Sequence, residues 1–388
     1  MTDLTLGRRD FLMTVGALSV AGRAPRAQAP LSVAPSFARL MYVGSFTGEG
    51  RGHGEGLSVF TRPVETAPWT LLQRLDTIAD PSFLAIDRQG RFLYSAHGGG
   101  SVATSYSIDR ETGRLTVLNT QPTNGVNGVH LAIDATNRFL SLANYASGSL
   151  IVLPVDTDGT LGPISDQVTL KGEPGPHRTQ QTSSHPHHCP FDRTGRFIVV
   201  PDKGLDKVFV YRLDAARGKL IEGTPPSVAS RDGAAPRHAD FHPTLPYMYV
   251  INEIDSTLTT YQFEPEKGVL KPLQVITTLP TSYTGNNTTA EVWVAKSGTF
   301  VYGSNRGHDS IVVFRVDPKL GTLSPVGWHP TQGRTPRYFG FDPSGTGLYA
   351  ANQNSDNIVI FKVNATTGAL TPTGEVVLVK SPSTIVFK

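Results

Sequence analysis

Apolar and polar residues alternate in short runs along nearly the whole chain, and turns that contain Gly or Asn separate the runs. Two runs around one turn predict a β-hairpin, and each hairpin here is followed by a third alternating run. The pattern recurs every roughly 46 to 58 residues. The copies stand at residues 83–97, 129–145, 187–202, 237–253, 290–306 and 337–353. Several copies continue through a second turn into a fourth, less regular strand, and this arrangement is typical of propeller blades.

The two ends of the chain supply the halves of a seventh copy. Residues 41–44 match the second strand of a hairpin with no first strand before them, and residues 383–387 match a first strand with nothing after it. Pairing these halves closes the ring without an open sheet edge. The sequence therefore predicts an all-β fold, a seven-bladed β-propeller with four antiparallel strands per blade, closed by the C-terminal strand in the first blade.

The repeat also predicts where polar side chains meet. The first two strands of a blade are antiparallel, so the start of the first strand and the end of the second lie together, opposite the turn that joins them. Polar residues at the starts are Ser82, His130, His187, Arg237, Glu291 and Arg337. Those at the ends are His97, Asn144, Asp202, Asn252, Glu253, Asn305, Arg306, Asn352 and Gln353. We expect these groups to ring one mouth of the central channel.

Such a ring indicates a ligand site, because clustered ionisable groups are costly to bury and do not arise from core packing. A small polar anion would suit it. For the four asparagines an equally good interpretation is that each caps the turn before the third strand. That interpretation does not account for Arg237, Glu253 and Arg306 together.

Residues 1–29 are predicted to be an export signal rather than folded structure. An arginine pair, Arg8 and Arg9, precedes a short apolar run over residues 13–21, and a small-residue cleavage pattern ends at Ala29; this is typical of a twin-arginine leader. A disordered basic tail or an anchor is the alternative, but the run is well short of the ~20 residues needed to span a bilayer. We expect residues 30–388 to form a single propeller domain that is periplasmic or otherwise exported through the twin-arginine pathway, without membrane insertion once the leader is removed.

The net charge and the cysteine content exclude nucleic-acid binding and an internal disulfide. The formal charge of +3 includes four leader arginines against two aspartates, so about +1 remains after cleavage, too little for nucleic-acid binding. Cys189 is the only cysteine. No internal disulfide can form, and Cys189 is predicted to be a small buried hydrophobe. We expect a monomer whose partner is a small molecule.

Six segments resemble the motifs of the seven-bladed lactonase family, which contains propeller-type 6-phosphogluconolactonases and carboxymuconate-lactonising enzymes. The segments are residues 185–187, 201–206, 236–238, 252–256, 304–311 and 336–339. The resemblance covers essentially the whole chain after the leader. Two residues depart from the family pattern: Lys203 stands where Leu is usual, and His97 where the second blade often has Glu.

The resemblance implies roles for particular residues. The family's proposed catalytic groups fall on His187, with His185 as the second choice, and on Arg237, Glu253 and Arg306. We assign His187 or Glu253 to the activation of water and the return of its proton. The two arginines would hold the oxyanion and an acidic group of the substrate. The predicted substrate-binding set is His130, His185, Asn144, Asp202, Asn252, Asn305, Arg337 and Gln353.

A zinc or copper site is an alternative for the histidine motif, because His185 and His187 would share one face of a strand with His130 nearby. No carboxylate pair or cysteine set completes a ligand shell, and the resembling enzymes work without metal, so we predict no metal and no cofactor. Structural hydrogen bonding is the favoured interpretation for His188, His238 and His308.

Three functional classes remain. The first and favoured one is a hydrolase that opens a sugar lactone, 6-phosphogluconolactone or a similar compound. The second is a carboxymuconate-type cycloisomerase, a lactone-forming intramolecular lyase that would use the same arginines. The third is a non-catalytic ligand-binding propeller, against which the intact His, Arg and Glu set argues. Export favours an unphosphorylated aldonolactone, because phosphorylated intermediates of central metabolism are not expected outside the cytoplasm.

Overall fold

The computed structural model describes residues 39–388, and the predicted export signal over residues 1–29 lies outside them. Seven antiparallel sheets follow one another along this part of the chain. The prediction of an all-β, seven-bladed propeller is therefore confirmed. Within the described residues, no helix has the length and apolar character needed to cross a membrane.

Each blade is a meander in which sequential strands pair. Blade 1 contains β1 (Leu40–Ser45), β2 (Leu57–Thr61) and β3 (Thr70–Leu75). Blade 2 contains β4 (Pro81–Ile86), β5 (Phe92–His97), β6 (Val102–Ile108) and β7 (Leu115–Pro122). Blade 3 contains β8 (Gly128–Ile133), β9 (Phe139–Asn144), β10 (Ser149–Pro154) and β11 (Asp166–Thr169). Blade 4 contains β12 (Phe197–Asp202), β13 (Lys207–Asp214) and β14 (Lys219–Ala229).

The second half of the chain repeats the meander and ends on the strand that closes the ring. Blade 5 contains β15 (Pro236–Phe241), β16 (Tyr247–Asn252), β17 (Thr257–Glu264) and β18 (Val269–Thr277). Blade 6 contains β19 (Thr288–Val294), β20 (Phe300–Arg306), β21 (Ser310–Val316) and β22 (Leu323–Pro330). Blade 7 contains β23 (Pro336–Phe341), β24 (Gly347–Asn352), β25 (Asn357–Val363) and β26 (Leu370–Leu378), with a 3₁₀ turn at Gln353–Ser355. The last strand is β27 (Pro382–Phe387).

Closure of the ring follows the prediction. Strand β27 pairs antiparallel with β1, with Tyr42 opposite Val386 and Val43 opposite Ile385. The first blade then has the strand order β27, β1, β2, β3. The N- and C-terminal parts of the propeller thus share one sheet, and the inner edge of that sheet is occupied as in the other blades.

Apolar side chains join each blade to the next. Every one of the seven clusters of buried residues combines strands of two neighbouring blades, including a cluster of Val43 from the first blade with Ile358 and Ile360 from the last. Burying a side chain of this size stabilises the fold by about 1.5–3 kcal/mol. The alternating pattern of the sequence therefore produces sheets that are apolar on both faces.

The inner strand of blade 4 is less regular than predicted. Residues around His187 occupy its position, but they pair with β12 only through two isolated bridges, Pro186 with Asp202 and Phe191 with Ile198. Two prolines, Pro186 and Pro190, lie in this segment. Proline lacks the N–H that a ladder needs, so a continuous strand is interrupted here.

Candidate active site

A cavity of about 330 Å³ opens at the end of the channel where inner strands begin and second strands end. This is the mouth that the repeat predicted. The residues that line it are Phe46, Gly50, Arg51, Asn127, Val129, Tyr145, His187, Lys203, Glu253, Arg306, Arg337 and Gln353. Of the predicted site residues, His187, Glu253, Arg306, Arg337 and Gln353 are brought together here.

Glu253 is the centre of the charged network. It follows β16, and its backbone N–H donates to the carbonyl of Ala235 at 2.8 Å. Its carboxylate oxygens form ion pairs with Lys203 Nζ at 2.6 Å, Arg237 Nε at 2.9 Å and Arg306 Nη2 at 3.3 Å. Burial by itself would raise the pKa of Glu253, but the three cations outweigh burial and hold that pKa well below its usual range. Glu253 is therefore an ionised counter-ion and a poor proton donor.

Two of the three cations reach the cavity, and the third does not. Lys203 and Arg306 line it, whereas Arg237 lies beneath Glu253, where its Nη1 donates to the carbonyl of Ala290 at 2.6 Å. Lys203 also donates to Gln180 at 3.0 Å, and burial lowers its pKa despite the contact with Glu253. Of the two predicted arginines, Arg306 is thus the one placed to touch a ligand.

His187 presents a neutral imidazole to the cavity. Burial, and after it the charge of Arg237, hold the pKa of His187 well below its usual range. Its backbone N–H is fixed by the carbonyl of Pro201 at 3.0 Å. Its Nε2 forms no hydrogen bond with any residue from 39 onward, and of the two ring nitrogens only Nδ1 is a buried atom without a partner. We therefore assign Nε2 to the cavity side, where it can accept a proton from a bound water.

Positive charge exceeds negative charge in the cavity wall. The cationic side chains are those of Arg51, Lys203, Arg306 and Arg337, and the carboxylate is that of Glu253. The Cζ atom of Arg337 lies 4.7 Å from the centroid of the Phe46 ring. The Arg337 guanidinium forms no hydrogen bond or ion pair with the described residues. Burial, together with nearby Arg237 and Arg306, holds its pKa well below its usual range. A bound anion would provide the partner that Arg337 lacks.

A loop that sequence reasoning missed covers one side of the cavity. Arg51 lies in the Gly-rich connection between β1 and β2, and its Nη1 donates to Asn127 Oδ1 at 3.1 Å. Gln353 Nε2 donates to the carbonyl of Arg51 at 2.8 Å and so holds the loop against blade 7. The density of glycines in residues 44–56 was the available signal, because functional loops are often Gly-rich.

The predicted asparagines brace turns instead of lining the cavity. Each is almost fully buried and donates through Nδ2 to the residue five positions later, at the start of the third strand. The pairs are Asn144 with Ser149, Asn252 with Thr257, Asn305 with Ser310 and Asn352 with Asn357, at 2.9–3.3 Å. The turn-capping interpretation is the one this geometry favours for Asn144, Asn252 and Asn305.

Asp202 and His185 support the site from behind. The Asp202 carboxylate is fully buried and accepts the backbone N–H groups of His185, Gly204 and Leu205 at 2.8–3.1 Å. The His185 ring stacks on Tyr145 with centroids 4.4 Å apart, and its Nδ1 meets the Tyr145 carbonyl. Neither residue lines the cavity. Both hold the segments that carry His187 and Lys203.

His130 lies deeper in the channel than predicted, because the inner strands contain β-bulges. In β8 the register shifts between Gly128 and His130, so Val129 reaches the upper cavity and His130 lines a second cavity near the hairpin turns. The same shift separates Arg237 from His238 and Arg337 from Tyr338. His97 is also outside the cavity, with its ring held by Ala79, Ser95 and Thr104.

The histidine motif spreads over several environments. His188 packs against His130 with ring centroids 3.8 Å apart and stacks on His238 at 4.2 Å. Buried Cys189 lies 3.2 Å from His130 Nδ1, and burial raises the pKa of its thiol to about 12. Across residues 39–388, no group of three or more His, Cys, Asp or Glu is arranged to hold a metal ion.

Comparisons with known proteins agree with this architecture. The model of the lactonase, seven-bladed β-propeller family matches residues 40–387. A 6-phosphogluconolactonase of Bacillus subtilis is 36% identical over 306 residues, 78% of this chain and 85% of that protein. A 6-phosphogluconolactonase of Formosa agariphila is 32% identical over 313 residues, 78% of this chain and 86% of that protein. The solved structure of the Pseudomonas aeruginosa periplasmic gluconolactonase PpgL superposes with a TM-score of 0.81 at 29% identity, covering 90% of this chain and 98% of that chain.

The fold and the cavity thus define a propeller with a cationic site at one mouth of its channel. The chain belongs to the seven-bladed β-propeller lactonase family.

Proposed function

We propose that this protein hydrolyses a sugar lactone in the upper cavity, with His187 as the general base. The observation that carries the proposal is the neutral His187 imidazole in the wall of a cavity that is also lined by four cationic side chains and one carboxylate. A neutral imidazole can take a proton, and cations stabilise the negative charge that develops when water attacks a carbonyl. Relatives that carry the name 6-phosphogluconolactonase support the same reaction class.

The proposed steps use three side chains. Water attacks the lactone carbonyl and gives one proton to His187 Nε2, while Arg306 and Lys203 stabilise the oxyanion. The bond between the carbonyl carbon and the ring oxygen then breaks, and His187 returns its proton to that oxygen. The product is the open hydroxy acid. Glu253 keeps Arg306 and Lys203 in place as their common counter-ion, a role that its depressed pKa favours over proton transfer.

The same cavity supports an acidic substrate. Arg337 has no hydrogen-bonding partner among residues 39–388, and it lies in the cavity wall with the loop that carries Arg51. An arginine binds phosphate or carboxylate through two parallel hydrogen bonds. We infer that Arg337 and Arg51 hold an acid group of the lactone, while Arg306 and Lys203 face its carbonyl.

We also propose that the protein is exported through the twin-arginine pathway and acts in the periplasm. Arg8, Arg9 and the cleavage pattern that ends at Ala29 support this, and one relative of known structure is called a periplasmic gluconolactonase. Outside the cytoplasm a carboxylate-bearing sugar lactone is a more accessible acidic substrate than a phosphorylated one.

Proton release in a weakly buffered pH-stat assay tests the proposal. The substrates are 6-phosphoglucono-δ-lactone, glucaro-1,4-lactone and the uncharged glucono-δ-lactone, each corrected for spontaneous opening. We expect hydrolysis, with higher kcat/KM for at least one acidic lactone than for glucono-δ-lactone. No rate above spontaneous opening with any of the three would contradict the proposal, and muconates would then test the cycloisomerase alternative.

A further inference from the structure

A third, much smaller cavity lies beneath the upper one. Its volume is about 20 Å³, and Ser82, His187, Arg237, His238 and Glu291 form part of its wall. A space of this size holds about one water molecule. His187 lines both cavities, as do Phe46, Val129 and Arg337, so these four residues lie between the upper cavity and the small one.

Three polar atoms of the small cavity's walls are buried without a hydrogen-bond partner in the described chain. They are Ser82 Oγ, His187 Nδ1 and His238 Nε2. The three residues come from three different blades, and each is more than nine-tenths buried. Buried polar groups are nearly always satisfied by protein or by an ordered water, and a buried water typically makes two to four hydrogen bonds.

His238 continues the chain of polar contacts away from the upper cavity. Its Nδ1 lies 2.9 Å from Glu291 Oε1, and the same carboxyl oxygen accepts the backbone N–H of Val292 at 3.0 Å. His187 and His238 both line the small cavity, and their ring centroids are 5.2 Å apart, so one molecule in that cavity would lie close to both rings.

We propose that one buried water joins His187 Nδ1 to His238 Nε2, and that Glu291 thereby acts through His238 as a positioning residue for His187. The catalytic part of this inference depends on the proposed function; the water site does not. When the water accepts the Nδ1–H of His187, Nε2 becomes the acceptor nitrogen that faces the upper cavity. This is the tautomer that a general base needs.

The ionisation of Glu291 gives the arrangement a pH dependence. Burial raises the pKa of Glu291 to about 8, Arg237 opposes this rise, and Asp240 adds to it. The titratable and charged groups around Glu291 are His238, Arg237, Asp240 and Tyr338, with His188 and His130 behind His238. As the pH rises through about 8, Glu291 becomes a carboxylate and favours the positive charge that His187 acquires in the reaction. The kcat of the wild-type protein should therefore rise over this interval.

The first test compares Glu291→Gln with Asp240→Asn. Glutamine keeps the size of the side chain and an oxygen for His238 but cannot ionise, whereas Asp240 is a buried carboxyl of the same channel without a histidine contact. We measure kcat and KM from pH 6 to 9 with a lactone that the wild type hydrolyses. Glu291→Gln should lower kcat at pH 8 by at least about tenfold, a part of the contribution of a general base, remove the rise near pH 8 and leave KM unchanged. Asp240→Asn should keep a rise of the same height, moved to a slightly lower pH because Asp240 no longer raises the pKa of Glu291. A Glu291→Gln profile that superimposes on the wild type would overturn the proposal.

The second test does not depend on activity. A crystal structure at a resolution that shows ordered water should contain one water within hydrogen-bond distance of both His187 Nδ1 and His238 Nε2. Nitrogen-15 NMR should show the proton of His187 on Nδ1. An empty cavity, or a proton on Nε2, would overturn the proposal even if Glu291→Gln fails to fold. If the wild type hydrolyses no lactone, the proposed function fails, and these two measurements still decide the water site.

Discussion

The two ends of the propeller channel bury ionisable groups in opposite ways. At the upper mouth Glu253 stays charged, because Lys203, Arg237 and Arg306 contact it. At the end near the hairpin turns, no cation among residues 39–388 contacts Asp240, and burial raises its pKa to about 7. The same inner strands build both ends, so the difference depends on where the cations lie. Of these two carboxyl groups, the one at the mouth keeps its charge more firmly, and this is where we place the chemistry.

The largest effect is expected when the proposed base at the upper mouth is removed. His187→Asn should lower kcat by about 10²–10⁴, the usual contribution of a general base. His185→Asn is the matched control, because His185 holds the same segment without lining the cavity, and it should lose much less activity than His187→Asn. Steady-state kinetics of both variants measure this. Equal losses in the two variants would mean that His187 has only a structural role.

Removing the central carboxylate should cost stability as well as activity. Glu253→Gln leaves buried Lys203, Arg237 and Arg306 without a counter-ion, and breaking such a network typically destabilises a protein by about 3–5 kcal/mol. Because the folded-state pKa of Glu253 lies below the unfolded value, its stabilisation is present above about pH 4.5. The stabilisation is lost as the pH falls through the folded-state pKa. Urea unfolding should show a smaller difference in the free energy of unfolding between the wild type and Glu253→Gln at pH 4 than at pH 7. Equal free energies of unfolding at pH 7 would contradict the stabilising role of this network.

Arg337 tests whether the unpaired charge at the mouth serves the substrate. Arg337→Gln should raise KM about tenfold for an acidic lactone, the size expected for one charged hydrogen bond, and should change kcat little. The uncharged glucono-δ-lactone is the control substrate, and its kinetics should not change. If both lactones lose affinity equally, Arg337 does not recognise an acid group.

The smallest expected effect concerns the opposite end of the channel. Asp240 accepts the backbone N–H groups of Phe241 and Val294, so Asp240→Asn loses part of this bonding at every pH. The pKa of Asp240 is raised from 3.8 to about 7 in the folded state, so the stability of the wild type falls as the pH rises between these two values and levels off above about 7. Between pH 5.5 and 8.5, the free energy of unfolding of Asp240→Asn should rise relative to that of the wild type by about 1 kcal/mol or more. Urea unfolding at both pH values measures this. A difference independent of pH would mean that Asp240 is already ionised.

The periodicity of the sequence predicted most of the fold and part of the site. The repeat of hairpins predicted seven blades, the closing pair of β1 and β27, and the end of the channel that holds His187, Glu253 and Arg306. These features depend only on strand direction and alternation, which a sequence displays. Lys203, which departs from the family pattern, is one of the three cations around Glu253 in the charged network.

The rest depends on local geometry that alternation does not show. A bulge moves Val129 to the upper mouth and His130 into the channel, and nothing in the residue types of β8 marks it. The asparagines end strands as predicted, but only three-dimensional distances distinguish a side chain that braces a turn from one that lines a cavity. Arg51 lies in a loop outside the repeat, so the repeat could not place it.

Lactone hydrolysis by His187 at the upper mouth is the reaction on which the proposed roles of the other cavity residues depend. The deciding measurement is pH-stat proton release by the purified protein, residues 30–388, from 6-phosphoglucono-δ-lactone, glucaro-1,4-lactone and glucono-δ-lactone, beside His187→Asn and with and without a chelator. We predict catalysed opening by the wild type, unchanged by the chelator and abolished in His187→Asn. Wild-type rates equal to spontaneous opening, or full activity in His187→Asn, would contradict lactone hydrolysis with His187 as the general base.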